Sequence, residues 1–173
     1  MTELQTITPF PSGMNRDGFG WYVSGLTDGE GCFSLLLDKK KGVRARTQPT
    51  PCASFAISLR RDDDRVLKLI QSFFQCGSII YGRTENNCSL RFRTLVELAS
   101  VINHFDTYPL IAKKSNDYEI WREGVSLLLS VSERKQIRSR GYSSYKWTID
   151  EFADFVVLKE ELQSGRKFKE TGK

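Results

Sequence analysis

The sequence predicts an α+β fold in which helices cover one face of an antiparallel sheet, and three observations support this class. The chain has 173 residues, a length typical of one domain. Hydrophobic residues make up 39% of it, which is enough to bury a core. The predicted strands come in hairpin pairs between helices, in the order αββαββα, which favours helices on one face of the sheet only. We therefore expect the second face to meet a partner.

A single domain is expected over residues 17–163. Residues 1–16 show no apolar period and are interpreted as an N-terminal arm, and residues 164–173 as a disordered basic tail. No apolar run approaches the roughly 20 residues that cross a bilayer, and the first residues lack the pattern of a secretory or transit signal. We therefore expect an intracellular protein without a membrane partner, in a bacterial cytoplasm or an organelle.

The first half of the chain begins with a helix and two strands. Apolar residues at helical spacing predict a helix over 19–28, which Gly29 and Gly31 are expected to end. An apolar run predicts a strand over 32–37. Strict alternation predicts a second, half-buried strand over 53–59.

A second helix, a hairpin and a third helix follow. Three aspartates at 62–64 can cap the second helix, and Gly77 is expected to close it. Residues 78–81 and 88–93 flank a polar turn and predict the hairpin. Apolar residues at helical spacing predict the third helix, which ends before Pro109.

Two further helices are predicted in the last third of the chain. The first runs from about Lys114 to Ser130, and residues 132–147 after it are interpreted as a basic loop. Thr148 and Glu151 form a capping box that starts the last helix.

Charge and rare residue types narrow the function. Lys and Arg outnumber Asp and Glu by 26 to 21, a balance that favours a polyanionic partner. The one histidine, His104, excludes multi-histidine metal nucleases and metalloproteases, and is interpreted as a surface residue or a cation at a helix end. The four cysteines form no C-x-x-C pair, so we expect reduced, mostly buried thiols instead of a zinc site.

Residues 21–33 are the most informative part of the chain. Ser24, Gly25 and Gly29 are expected to leave one helix face with little side-chain bulk. Glycine inside a helix costs about 1 kcal/mol relative to alanine. Close approach of a second helix would offset this cost.

Two acidic residues follow at the C-terminal end of that helix. Asp28 and Glu30 lie where the helix dipole is negative, so electrostatics favour a cation between them. Carboxylates and a freed backbone carbonyl are hard oxygen ligands that suit Mg²⁺. Acidic glycine-rich turns are also common without a metal, so the residues alone leave both interpretations open.

Residues 23–31, with the sequence VSGLTDGEG, resemble the LAGLIDADG motif of homing endonucleases. The positions identical to the motif are Gly25, Leu26, Asp28 and Gly31. Glu30 is acidic where the motif has its second aspartate. Three further segments resemble the family in the same order, at residues 55–63, 70–79 and 108–114. The similarity covers about residues 18–130.

The resemblance implies a homodimer, because the motif occurs once and a single-motif member supplies half of a site. Tyr22, Ser24, Gly25 and Gly29 would then form the contact between two motif helices. A dimer related by a two-fold axis implies an approximately palindromic target.

The resemblance also implies the catalytic site. Glu30 of each copy, with the Gly29 carbonyl, would hold Mg²⁺, which Mn²⁺ or Ca²⁺ can replace, against the scissile phosphates. Asp28 and Lys114 are the other expected catalytic residues, and Lys113 is the less favoured alternative to Lys114.

The sheet is implied to read double-stranded DNA. Ten residues of strand span about 33 Å, which is about ten base pairs for each copy. The residues expected to reach base edges are Ser34, Leu36, Asp38, Lys40, Arg44, Arg46, Ala56, Ile80, Arg83, Ser89, Arg91 and Arg93. The residues expected to contact phosphates are Arg134, Lys135, Arg138, Arg140 and Lys146.

The predicted function is a site-specific homing endonuclease that makes a metal-dependent double-strand break, as intron homing requires. One position departs from the family: Leu59 stands where a polar residue orients water, and Arg60, Arg61 or Asp62 are possible substitutes. This departure keeps an RNA-binding intron maturase, or a DNA-binding protein that does not cut, as the alternative. A basic domain with a chance motif is the third hypothesis.

Overall fold

The structure is a computed structural model that describes residues 10–11, 13–38, 49–83, 86–137 and 147–165. Its elements are α1 (Arg16–Glu30), β1 (Gly31–Asp38), β2 (Thr50–Arg60), a 3₁₀ turn (Arg61–Asp63), α2 (Asp64–Phe74), β3 (Ser78–Tyr81), β4 (Asn87–Phe92), α3 (Leu95–Thr107), α4 (Lys114–Ile137) and α5 (Ile149–Ser164). This order confirms the predicted α+β class. No helix in these ranges is long and apolar enough to cross a membrane.

The four strands form one antiparallel sheet in the order β1-β2-β4-β3. Its register aligns Phe33, Phe55 and Phe92 in one row across three strands, and all three side chains are buried. Trp121 of α4 packs on this row and donates a hydrogen bond from Nε1 to the Ser54 carbonyl oxygen at 3.1 Å. The core therefore lies between the helices and this inner face of the sheet.

Alternation along the strands places a second set of side chains on the opposite face, which we call the open face. Its members are Cys32, Ser34, Leu36, Asp38, Thr50, Cys52, Ser54, Ala56, Ser58, Arg60, Ser78, Ile80, Asn87, Ser89, Arg91 and, directly after β4, Arg93. Leu36 and Ile80 are exposed here despite being apolar. The expectation of mostly buried thiols is thus wrong for Cys32, which is exposed, whereas Cys52 and Cys76 are half-buried and Cys88 is buried.

The predicted end of α1 is correct for Gly31, which is the C-cap, and wrong for Gly29. The helix continues through Gly29 to Glu30, and Gly31 begins β1. The Gly31 N–H donates to the Thr27 carbonyl oxygen, and a Cβ on Gly31 would lie 2.4 Å from Thr27 Cγ2. The close turn from helix to strand therefore requires glycine at position 31.

The start of α2 also differs from the prediction. Residues 61–63 form a 3₁₀ turn, and Asp63, at the N-cap, makes no capping side-chain hydrogen bond. Asp64 instead accepts hydrogen bonds from Lys68 and Tyr81. The helix ends at Gln75 in the left-handed region, before Gly77.

For the last two helices, the predicted start of α5 is correct and the predicted end of α4 is wrong. The capping box of Thr148 and Glu151 is confirmed. The predicted loop over 132–147 begins too early, since α4 continues to Ile137. The expected arm and tail lie largely outside the described residues, except that α1 begins at Arg16 and α5 ends at Ser164.

Candidate active site and nucleic-acid interface

One side of α1 carries a stripe of exposed backbone. A Cβ built on Gly25 or Gly29 meets no heavy atom of the described chain within 4 Å. Trp21 and Tyr22, both about one helical turn before Gly25, are 52% and 40% exposed. We call Tyr22, Gly25 and Gly29 the glycine stripe. Another helix can approach the backbone of α1 closely along it.

Ser24 does not belong to this stripe, so the prediction that it contacts a second motif helix is wrong. Its side chain is 3% exposed and faces α3 of the same chain. The Ser24 hydroxyl donates to the Tyr108 carbonyl oxygen at 2.7 Å and lies 3.3 Å from His104 Nε2. Successive helical residues differ by about 100° in direction, so Ser24 and Gly25 cannot share one narrow face.

His104 is a buried partner of α1, which corrects its interpretation as a surface residue or helix-end cation. Its ring is 6% exposed and contacts the rings of Phe73, Phe74, Phe105 and Tyr108. Burial among these aromatic groups lowers the pKa of His104 to about 4, so the imidazole is neutral at physiological pH.

Asp28 ties the end of α1 to the segment before α4. Its Oδ2 accepts hydrogen bonds from the backbone N–H groups of Ile111 and Ala112, each at 3.3 Å. Its Oδ1 is buried and has no hydrogen-bond partner among the described residues. This geometry suits a residue that positions the following lysines, and not one that contacts a reacting phosphate.

Glu30 is the exposed last residue of α1 and directly precedes β1. Its carboxylate lies at the helix end where backbone carbonyls, including that of Gly29, lack helical N–H partners. These oxygens are the ligand type that a hard divalent cation takes. The described residues contain no group of three or more His, Cys, Asp or Glu side chains that could hold a metal ion. The Glu30 carboxylate and the Gly29 carbonyl oxygen therefore suit such a cation only if oxygens from other groups complete its coordination shell.

Lys114 begins α4, two residues after the pair of N–H groups that Asp28 binds. Its ammonium lies 3.8 Å from Asp117 Oδ2, and its side chain is 24% exposed. Lys113 lies in the preceding turn and is exposed. The Asp28 contacts thus hold the backbone that leads into both lysines against the end of α1 that carries Glu30.

The open face carries eight of the residues expected to read bases: Ser34, Leu36, Asp38, Ala56, Ile80, Ser89, Arg91 and Arg93. Arg83 is exposed in the turn after β3. Lys40, Arg44 and Arg46 lie outside the described residues. A sheet face of this kind can enter a DNA major groove.

Of the five residues expected to contact phosphates, the structure describes the side chain of Arg134. Arg134 forms an ion pair with Glu151, which joins α4 to α5 on the helical side of the sheet. The side chain of Lys135 and all of Arg138, Arg140 and Lys146 lie outside the described residues.

Several open-face residues were missed by the sequence interpretation, namely Cys32, Thr50, Cys52, Ser54, Ser58, Arg60, Ser78 and Asn87. The period of two was the signal that could have found them, because Ala56 was already assigned to this face. Leu59, the departure from the family, packs against the core. Its neighbours Ser58 and Arg60 are the side chains that face outward there.

Comparison with known proteins identifies the family. The model of the LAGLIDADG endonuclease family matches residues 23–125. An uncharacterized 50.9 kDa protein in ND4 intron 1 of Podospora anserina is 36% identical over 110 residues, which are 62% of this chain and 24% of that protein. The chain belongs to the LAGLIDADG endonuclease family.

Two solved homing endonucleases share the fold. The LAGLIDADG homing endonuclease I-GzeII, solved in complex with a DNA target, matches with a TM-score of 0.66 and 27% identity over 81% of this chain and 43% of that one. The homing endonuclease I-TnaI matches with a TM-score of 0.65 and 21% identity over 88% of this chain and 95% of that one. The chain therefore spans about a quarter of the Podospora protein and under half of I-GzeII, but nearly all of I-TnaI.

Proposed function

We propose that this chain is a site-specific DNA endonuclease of the homing type that acts as a homodimer. The observation that carries the proposal is the position of Glu30. This exposed carboxylate lies where the helix with the glycine stripe meets the first strand of the open face. The carboxylate of Glu30 is thus adjacent in the chain to the strand that begins the surface suited to DNA.

Dimerisation through the glycine stripe supplies the second half of the site. One chain presents one Glu30, whereas a double-strand break requires a reaction on each strand. Two α1 helices packed at Gly25 and Gly29 would bring two Glu30 carboxylates to the same axis. In I-TnaI, which this chain covers almost completely, a single domain of this fold makes up nearly the whole chain.

A divalent cation fits the oxygen donors at this axis. Glu30 and the Gly29 carbonyl of each copy would hold it together with phosphate oxygens of the DNA. When bound, such an ion neutralises charge on the phosphate and activates water at neutral pH. Mg²⁺ suits these hard ligands, and Mn²⁺ or Ca²⁺ has the same ligand preference.

Lys114 would act beside this carboxylate. The Asp28 contacts hold the backbone just before Lys114 at the end of α1, and the Lys114 ammonium would stabilise negative charge on the phosphate or the leaving oxygen. Asp28 is a positioning residue in this proposal, because its bound oxygen is already occupied by two backbone N–H groups. The open face would hold the target in register with these groups.

A cleavage assay tests the function. The wild-type chain, incubated with Mg²⁺ and a plasmid library of randomised sites, should produce double-strand breaks at a limited set of sequences. Glu30→Gln should abolish cutting and leave binding of the same sequences largely intact. Glu160→Gln, on the exposed side of α5, is the matched control and should cut normally.

Two outcomes would reject the proposal in different ways. Selective DNA binding without cutting by the wild-type chain would favour the non-cleaving alternative, to which the inward-facing Leu59 gives some support. Normal cutting by the E30Q variant would show that another group is the metal ligand.

A further inference from the structure

Arg60 is the outward-facing arginine of the described sheet whose guanidinium is held by a carboxylate. Its Nε donates to Asp62 Oδ1 at 3.1 Å, and its Nη2 donates to Asp62 Oδ2 at 2.8 Å. This two-bond contact, which we call the Arg60 fork, uses two of the five guanidinium hydrogens. Both Nη1 hydrogens and the second Nη2 hydrogen are left at the far end of the group.

This ion pair contributes little to folding. The side chains of Arg60 and Asp62 are 72% and 60% exposed, and exposed pairs of this kind add little to stability. The contact does fix the direction of a long side chain, which lowers the ordering cost when that side chain binds something else. A binding role therefore accounts for the fork better than a structural role.

The chemistry of the pair favours a base edge over a phosphate. Asp62 largely cancels the charge of Arg60, and its own exposed carboxylate repels phosphate. Guanine offers two uncharged acceptors in the major groove, O6 and N7, at the spacing of two arginine N–H groups. The free end of the Arg60 fork has the donors for this bidentate contact.

The register locates this contact relative to the proposed cut. Gly31, directly after Glu30, pairs with Ile57, and Arg60 lies three residues further along β2 on the open face. Three residues of strand span about 10 Å, which is about three base steps of DNA. Arg60 therefore faces base pairs close to the proposed scissile phosphate.

Resting on the proposed function, we infer that Arg60, held by Asp62, reads a guanine within about three base pairs of the cut in each half of the target. Asp62 acts as a positioning residue, because it holds the guanidinium with its free N–H groups directed outward. Lysine at position 60 would keep the charge but lose the two-pronged contact.

Selection from a randomised duplex library tests the inference. On the E30Q background, the parent chain should enrich sites with a guanine at one symmetric position near the centre. Arg60→Lys and Asp62→Asn should each reduce the preference for that guanine by about 10- to 100-fold and leave the other positions unchanged. Arg65→Ala, which removes the same charge from the exposed side of α2, is the matched control and should keep the full preference.

Other outcomes overturn the inference. Uniform weakening on every sequence, with a salt dependence lower by about one counterion, would show a phosphate contact. Unchanged base preferences in the Arg60→Lys variant would show no contact at all. If the parent chain enriches other positions normally, these results refute the guanine contact alone, whereas a parent chain that enriches nothing refutes the proposed function as well.

Discussion

Substitution of Gly25 by alanine should separate the stability of one chain from the stability of the dimer. Gly25 lies inside α1, and its Cβ would meet no heavy atom of the described chain within 4 Å. Alanine is favoured over glycine inside a helix by about 1 kcal/mol, which raises the melting temperature of a chain of this size by about 2–4 °C. The folding of a single chain should therefore become more favourable.

The same methyl group should weaken association. In the proposed dimer each new Cβ at position 25 meets the partner's α1, and added methyl groups in a closely packed contact cost about 1–3 kcal/mol. The dissociation constant should rise about ten-fold or more. Sedimentation equilibrium measures this constant. Unfolding at several protein concentrations isolates the folding free energy of a single chain, since only the free energy of association depends on concentration.

Gly124→Ala is the matched control for this experiment. Gly124 is buried in α4, and its Cβ would lie 2.7 Å from both Leu35 methyl carbons, so alanine should destabilise the chain away from the proposed contact. A G25A protein that associates as tightly as the wild type would refute the dimer geometry. A loss of single-chain stability in G25A would refute the account of the open stripe.

Two further predictions concern the contacts that hold α1. Asp28→Ala removes the acceptor of the Ile111 and Ala112 N–H groups and should lower the unfolding free energy, measured in urea, by about 1–3 kcal/mol. Asp28→Asn keeps an acceptor oxygen and should lose less, and equal losses would contradict the role of these two hydrogen bonds. His104 is neutral when folded, because its pKa is lowered to about 4, but protonates near pH 6.5 when unfolded. Its contribution is therefore full above pH 6.5 and falls by about 3 kcal/mol by pH 4. Urea unfolding against pH measures this loss, His104→Gln should flatten the profile, and an unchanged profile would contradict the assignment.

The order of elements could be predicted because local patterns carried it. Alternation over β2, helical spacing in α1 to α3, and the capping box at Thr148 each depend on residues close in sequence. Boundaries failed where a particular atomic contact, and not a residue type, decided them. Gly29 looked like a helix end, yet the close approach between Gly31 and Thr27 fixes the turn two residues later.

The candidate site was predictable only in part for the same reason. Glu30 and the glycines stand in one motif, so their neighbourhood followed from the sequence. The inward direction of Ser24 and the burial of His104 depend on rings and carbonyls brought from α2 and α3, some 30 to 80 residues away. Strand alternation could have assigned Arg60 to the open face, but its hydrogen bonds to Asp62 are a contact that no sequence pattern showed.

A mixed dimer of one wild-type chain and one E30Q chain tests the central claim most directly. If each Glu30 serves one DNA strand, the purified mixed dimer should nick a plasmid that carries the selected site and should not linearise it. The wild-type dimer should linearise the plasmid, and the dimer with two altered chains should leave it intact. Linearisation by the mixed dimer at the wild-type rate would contradict a site built from one carboxylate of each copy.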